Sequence, residues 1–306
     1  MTSSGRPALA APRALAPGDP IAVIAPSSPF DVDDFQAGVV KLRARYDVRY
    51  DEGILSRRGY LAGDDGRRLE ELIGALEDPE VRAVVAARGG YGATRLLSAR
   101  LEAAIAKHPK LLVGFSDVTA LHALWARAGW RSLHAAMVGG LGRGGDGLLA
   151  RWIAAVEGGV PEPVSGLAGL RAGRAEGPLV GGNLSVLAAL APTPFAPLVE
   201  GAILVLEDVG EKPYRVDRML TSLRQAGWLD RAAGVVFGAF TESEPGPDGV
   251  TVDEVLAERV ADLDVPAVRG LAAGHIDDPL ALPLGARVRL DADAGVLTFL
   301  DAVAER

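Results

Sequence analysis

The sequence predicts an α/β protein built on a parallel sheet with helices on both faces, followed past a boundary by a second unit that ends in a hairpin. Three observations predict it. Short, continuously apolar runs alternate with amphipathic helix patterns through the first half, as parallel strands buried on both faces require. Residues 158–177 (GGVPEPVSGLAGLRAGRAEG) have the Gly and Pro content of a linker and mark a boundary. The C-terminal residues alternate apolar and polar with period two around a turn, the pattern of a hairpin. The expected division is residues 1–160, a linker at 161–176, and residues 177–306.

Residues 1–20 (MTSSGRPALAAPRALAPGDP) are rich in Pro and small residues and read as a frayed tail. Arg13 and the prolines deny this segment the apolar core of a signal peptide. Residues 21–25 (IAVIA) form a short buried strand, closed by Pro26 and the loop Ser27-Ser28-Pro29. An amphipathic helix covers residues 33–44. Asp64 or Asp65 caps the next helix, where Leu69, Leu72, Ile73 and Leu76 recur at i, i+3, i+4 and i+7. Residues 81–87 (VRAVVAA) are a second strand, running into Arg88-Gly89-Gly90-Tyr91-Gly92 and a helix from about Ala93. Residues 111–115 (LLVGF) are a third, followed at once by Ser116-Asp117 and a helix to about Ala128. Residues 132–137 are a fourth. Beyond the boundary come residues 177–183, a short helix, a strand at 201–208 (GAILVLED) and a helix over 214–226. A strand at 234–240 (GVVFGAF) and a hairpin of 286–290 with 296–300 complete the chain.

Composition excludes several chemistries. There is no Cys, which removes disulfides, thiolate nucleophiles and Cys-ligated zinc or iron–sulfur clusters. A formal net charge of −8 argues against a non-specific grip on nucleic acid. The most apolar stretch, residues 184–206, is broken by Pro192, Pro194, Pro197 and Glu200, so no membrane span is expected. Lack of Cys and of a signal segment points to the cytoplasm. The only imidazoles are His108, His122, His134 and His275.

Four places carry candidate chemistry. Ser116, in Gly114-Phe115-Ser116-Asp117, sits where a strand end meets a helix start. Such a turn lifts the side chain to the carboxyl edge of the sheet and aims the following N–H at the same space. It departs from G-x-S-x-G because Val118 stands at the last Gly, and the plainer reading is an N-cap by Ser116 or Asp117. The glycines of Arg88–Gly92 allow a close backbone approach to a ligand. They match neither the P-loop nor G-x-G-x-x-G; the alternatives are an oxyanion donor or a tight turn. His275 lies in a loop between Gly274 and Pro279, where it can swing toward another domain or stand exposed. His108, among Lys107, Pro109 and Lys110, reads as a solvated turn. His122 lies about 600° around its helix from Ser116 and reads as packing, and His134 is the second candidate base. Glu207 ends a strand, where a carboxylate can accept the Nδ1–H of a histidine; the plainer reading is a cap or an ion pair with Arg215 or Arg218. Asp208 points the other way along the strand. Metal binding by Glu207, Asp208, Asp277 and Asp278 has no H-E-x-x-H or EF-hand spacing behind it.

Arg-Gly-Gly-Tyr-Gly at 88–92, Gly-Phe-Ser-Asp at 114–117, Gly-Gly-Asn-Leu at 181–184, Leu-Glu-Asp-Val-Gly-Glu at 206–211 and Gly-His at 274–275 occur in this order. As a set, spanning residues 20–300, they resemble the LD-carboxypeptidase family of serine peptidases. That family includes muramoyl-tetrapeptide carboxypeptidases and microcin C self-immunity peptidases. The resemblance implies a Rossmann-like N-terminal domain, a smaller mixed β-rich C-terminal domain, and an active site in the cleft between them. It also implies a Ser–Glu–His triad at Ser116, Glu207 and His275, no metal or other cofactor, and a cytoplasmic homodimer. Backbone N–H groups of Asp117 and Gly90, with Gly89 the neighbouring possibility, would form the oxyanion hole. Arg88, Gly89 and Asn183 are the candidates for holding substrate.

The implied function is hydrolysis of an L,D-peptide bond, with release of terminal D-Ala from a murein tetrapeptide in cell-wall recycling. The alternative is a microcin C-type amidase acting on an aminoacyl-adenylate analogue. Such an enzyme needs an aromatic platform, and the chain has 5% aromatic residues and no Trp between residues 184 and 206. A non-catalytic bilobal binding protein is the third reading.

Overall fold

The computed structural model describes residues 8–305, with thirteen strands in two sheets among them. The strands are β1 Pro20–Ile24, β2 Asp47–Arg49, β3 Ala83–Ala86, β4 Leu111–Gly114, β5 Ser132–His134, β6 Ala168–Arg171 and β7 Arg174–Asn183. They continue with β8 Ile203–Val209, β9 Gly234–Thr241, β10 Ala267–Arg269, β11 Leu282–Leu284, β12 Arg287–Asp291 and β13 Val296–Phe299. The helices are α1 Val32–Arg43, α2 Asp65–Glu77, α3 Ala99–Lys107, α4 Thr119–Arg127, α5 Val138–Arg143 and α6 Asp146–Val156. Then come α7 Leu184–Leu190, α8 Pro213–Gln225, α9 Trp228–Arg231 and α10 Val252–Val260. Among the described residues no helix is long and apolar enough to cross a membrane.

The first sheet has the order β11-β5-β4-β3-β1-β2. Its five N-terminal strands are parallel, in the doubly wound order 2-1-3-4-5. Alternation along each strand splits the core in two. Ile21, Val23, Ala83, Val85, Leu111 and Val113 pack with Phe35, Val39 and Trp152 on one face. Ile24, Val84, Ala86 and Leu112 pack with Leu72, Leu76, Leu124 and Trp125 on the other. Asp64 caps α2, its carboxylate accepting from the Arg67 N–H at 2.8 Å.

The second sheet, β13-β12-β7-β8-β9-β10-β6, is mixed. Its centre, β7 to β10, is parallel, and the C-terminal hairpin β12–β13 is antiparallel. Helices α7, α8 and α10 cover one face through Leu187, Val216, Leu220 and Leu256.

Three sequence expectations change. The segment read as a linker, 161–176, contains β6, which pairs antiparallel with β10. Its Gly and Pro residues shape turns around a strand instead of freeing the chain. The described part of the expected frayed tail, residues 8–19, is docked. Ala14 and Leu15 are buried, Leu9 N–H donates to the Gly285 carbonyl and Ala14 N–H to that of Glu305. The Arg131 guanidinium donates to the Leu9 and Ala302 carbonyls; residues 1–7 lie outside the described residues. The helix expected from Ala93 is a 3-10 turn, Ala93–Leu96, and α3 starts only after Ser98, which caps it through the Leu101 N–H.

The two sheets are also interlocked. β11, late in the chain, pairs antiparallel with β5, placing Leu282 opposite His134 and joining the first sheet.

Candidate active site

Loops from the carboxyl ends of β1, β3 and β4 converge, as ligand-binding loops do in doubly wound sheets. The strand order reverses between β1 and β3, the switch point at which such sheets place their sites. Ser116 stands two residues past β4, after Phe115. It is one of two described non-glycine residues with positive φ, at 62°, a conformation that costs an L-residue about 1 kcal/mol or more. The strain is held by the neighbours. A 3-10 turn, Ser116–Val118, leads into α4. The Asp117 carboxylate accepts from the Ser27 hydroxyl at 2.6 Å and the Ala93 N–H at 2.8 Å. Burial pushes the Asp117 carboxyl up, against those two bonds. One side chain thus joins the loops after β1, β3 and β4.

The glycine loop presses on Ser116. A Cβ on Gly89 would stand 3.0 Å from Ser116 Cβ and 3.2 Å from its Oγ. Gly90 has φ +107°, and a Cβ there would meet Ser28 Oγ at 2.4 Å. Backbone therefore lies where a side chain would otherwise shield the hydroxyl. The loop is pinned by Ser28, whose N–H donates to the Gly89 carbonyl and whose hydroxyl accepts from the Tyr91 N–H. Arg88 is exposed beside it and donates to the Pro29 carbonyl at 2.7 Å.

The second sheet supplies the partners. Glu207 lies in β8 at a register shift against β9, between Leu206 and Asp208; bulges of this kind re-aim side chains. Its Oε2 lies 2.8 Å from Nδ1 of His275. Nε2 of the same ring lies 3.0 Å from Ser116 Oγ. Burial pushes the Glu207 carboxyl up, but the two imidazoles beside it, His134 and His275, outweigh that and bring it down to about 2. An ionised carboxylate only accepts, so Nδ1 of His275 carries the proton. With that one proton on the ring, Nε2 is left to accept from the Ser116 hydroxyl. The His275 loop is held by the Thr241 hydroxyl, which donates to the His275 carbonyl, and by the Phe115 ring, 5.0 Å between centroids.

The structure thus brings Ser116, Glu207 and His275 into one chain of contacts across the two sheets. Asp117 and Gly90 flank Ser116 on the backbone side. Asn183, expected among the residues that hold substrate, has its polar groups engaged inside the fold. It is buried and caps α7, its amide donating to Asp208 and its N–H to the Thr119 hydroxyl. Asp208 accepts from Asn183, Ser185 and Val209, so the capping role weighed for Glu207 belongs to its neighbour. Burial pushes the Asp208 carboxyl up to about 6. His122 is a packing residue: Nε2 donates to the Gly114 carbonyl and Nδ1 accepts from the Ser132 hydroxyl. Burial drives it down to about 3, so it stays neutral. His134 faces Glu207, with Nε2 3.8 Å from Oε1. Sequence reasoning placed the loop Ser27-Ser28-Pro29 near the site without giving its side chains a role, and it missed Thr119. Ser and Thr in a loop or at a helix start signal caps as often as anything else.

The depressed Glu207 value has a consequence for stability. A carboxyl lowered on folding contributes stability that is complete above its unfolded value, about 4.3. That contribution is lost as pH falls toward 2. Asp208, raised on folding, works oppositely: its contribution is present below about 4 and is lost as pH rises through about 6. Glu207→Gln is expected to be less stable than the parent by a few kcal/mol at pH 6. Urea titrations at successive pH values should show that gap closing between pH 4.5 and 2. A gap independent of pH would refute the assignment of the ionised state.

Among the described residues no group of three or more His, Cys, Asp or Glu side chains is placed to hold a metal ion. The sequence matches the LD-carboxypeptidase N-terminal domain over residues 21–135 and the LD-carboxypeptidase C-terminal domain over residues 176–290. It is 34% identical over 286 residues to the murein tetrapeptide carboxypeptidase of Pseudomonas aeruginosa, covering 87% of this chain and 91% of that one. The muramoyltetrapeptide carboxypeptidase of Oxalobacter formigenes superposes with a TM-score of 0.82 at 32% identity, covering 94% of this chain and all of the other. The microcin C7 self-immunity protein MccF shares the fold, with a TM-score of 0.87 at 22% identity over 97% of this chain and 100% of that one. With both domain matches in chain order and a relative of this identity along most of its length, the chain belongs to the LD-carboxypeptidase family.

Proposed function

We propose that the protein is a serine carboxypeptidase that hydrolyses an L,D-peptide bond, releasing terminal D-Ala from a murein tetrapeptide during recycling of cytoplasmic cell-wall peptides. The observation that carries this reading is the run Ser116 Oγ, His275, Glu207, with contacts of 3.0 and 2.8 Å. The two carboxypeptidase relatives supply the substrate class.

In this mechanism Ser116 Oγ attacks the scissile carbonyl carbon while its proton passes to Nε2 of His275. Glu207 accepts from Nδ1–H and stabilises the imidazolium. The negative charge on the carbonyl oxygen is met by the backbone N–H groups of Gly90 and Asp117, the second near the positive end of α4. His275 then gives its proton to the departing amine of the D-amino acid. Water, deprotonated by the same imidazole, cleaves the acyl-enzyme and restores the Ser116 hydroxyl. The substrate's terminal carboxylate needs a cation or free N–H groups close by. Arg88 and the Gly89 backbone are the groups available, and Asn183 is not.

The test is release of D-Ala from a defined murein tetrapeptide, read by mass spectrometry, beside an aminoacyl sulfamoyl adenosine. D-Ala release with the adenosine derivative left intact is expected. Cleavage of the adenosine derivative alone would replace this reading with the amidase one, and cleavage of neither would leave a binding protein.

A further inference from the structure

Glu207 has two oxygens, and the contacts so far use one. Oε2 takes the His275 bond. Oε1 is buried and has no hydrogen-bond partner, and the same holds for both ring nitrogens of His134. A buried carboxylate oxygen left unpaired costs free energy on the scale of a lost charged hydrogen bond. Yet the group that could satisfy it lies beside it: Nε2 of His134 stands 3.8 Å from Oε1, and the two residues are each 1% exposed. That gap is too short to hold a bridging water and about 1 Å longer than a hydrogen bond. A small rotation of either side chain closes it.

The surroundings leave His134 little else to do. Its ring lies between Phe115, 5.6 Å between centroids, and His122, at 6.3 Å. Of the ionisable groups around it, His122 on α4 is neutral and spent on Gly114 and Ser132. His275 also packs against Phe115, 5.0 Å between centroids. Oε1 of Glu207 on β8 is an acceptor 3.8 Å from Nε2 of His134. The backbone of His134 is in the strand beside β4, in register with Gly114, two residues before Ser116.

We propose that His134 is a positioning residue: its Nε2–H donates to Oε1 of Glu207 and ties that carboxylate, which belongs to the second sheet, to the sheet that carries Ser116. This rests on the triad reading above. Held by one histidine at each oxygen, the carboxylate cannot turn, and Oε2 stays aimed at Nδ1 of His275. The spacing between nucleophile and carboxylate is then set by a cross-sheet bond and does not depend on the His275 loop alone.

Two variants test this. His134→Phe keeps a ring and removes the donor; His134→Gln returns an N–H near the position of Nε2. For His134→Phe, kcat on the tetrapeptide is expected to fall about 10–100-fold with KM unchanged, the scale of a small misplacement in a catalytic group. The acid limb of kcat/KM should move to higher pH, because Glu207, freed from one donor, accepts more strongly from His275 and favours its protonated form. His134→Gln should restore most of kcat and return the limb. A folded His134→Phe with the parent's kcat and acid limb, or a His134→Gln no better than it, overturns the proposal. Nitrogen-15 NMR of the unsubstituted protein decides the matter if the variants do not fold. A slowly exchanging proton on Nε2 of His134 supports the bond, and a proton on Nδ1 alone refutes it. That measurement uses no substrate, so loss of the hydrolase reading and loss of this one are told apart.

Discussion

Ser116→Ala is expected to lower kcat on the L,D-tetrapeptide by about 10⁴-fold or more, since the members of a triad act as a unit. KM should change little, because the hydroxyl contributes to the transition state and not to binding of the ground state. Its effect on stability separates chemistry from folding. Ala at φ 62° keeps the strain of the parent residue, so the melting temperature should move by only a few degrees. Ser116→Gly loses the same activity but relieves the left-handed strain, and should be more stable than Ser116→Ala by about 1 kcal/mol. Turnover by either variant close to the parent's on the peptide would remove Ser116 from the chemistry. Calorimetry of the pair checks the strain: equal stability of the Ala and Gly variants would show that the turn stores none.

Gly274→Ala is the second large effect. Gly274 has φ +106°, and a Cβ there would meet Glu207 Oε2 at 2.4 Å and Glu207 Cβ at 2.9 Å. Turning the carboxylate alone does not relieve the clash, because Glu207 Cβ is close as well. Gly238 closes on the other side, where a Cβ would lie 3.1 Å from Glu207 Cβ. The added methyl must push Glu207 off Nδ1 of His275 or displace the His275 loop. A fall in kcat of about 100-fold or more is expected, with the α-helical and sheet signals retained and a stability loss of about 1–3 kcal/mol. Steady-state kinetics beside a thermal melt test it. A variant with unchanged kcat would mean that this glycine serves only the turn.

Much of this architecture was legible in the chain. The continuously apolar runs at 21–25, 81–87 and 111–115 correspond to β1, β3 and β4, and the i, i+3, i+4, i+7 pattern to α2. The period-two alternation near the C-terminus corresponds to β12 and β13. These signals are local, carried by residues that lie within one element. The segments left unread are those whose partners are distant in sequence. β6 has an unremarkable Gly-bearing sequence, AGLR, and is a strand because β10 lies beside it. Residues 8–19 hold small apolar side chains and two large ones, Leu9 and Leu15, and they are docked because Arg131, Gly285 and Glu305 accept and supply their backbone bonds.

The same division runs through the site. By itself the sequence determined the strand-to-helix turn that bears Ser116, the glycines at 89, 90 and 274, and the absence of thiol chemistry, because turn geometry and composition need no partner. It left Glu207 and Asp208 as adjacent carboxylates, and His275 and His134 as rival bases. The family resemblance pointed to Glu207 and His275, and only the tertiary structure shows which of these groups meet. The register shift in β8 sends Glu207 to His275 while Asp208 caps α7. The pairing of β5 with β4 and β11 sets His134 against Glu207 and leaves His275 facing Ser116. The roles of such groups depend on distances of a few ångströms between residues 68 and 159 positions apart in the chain, and only the packing of one sheet against the other sets those distances.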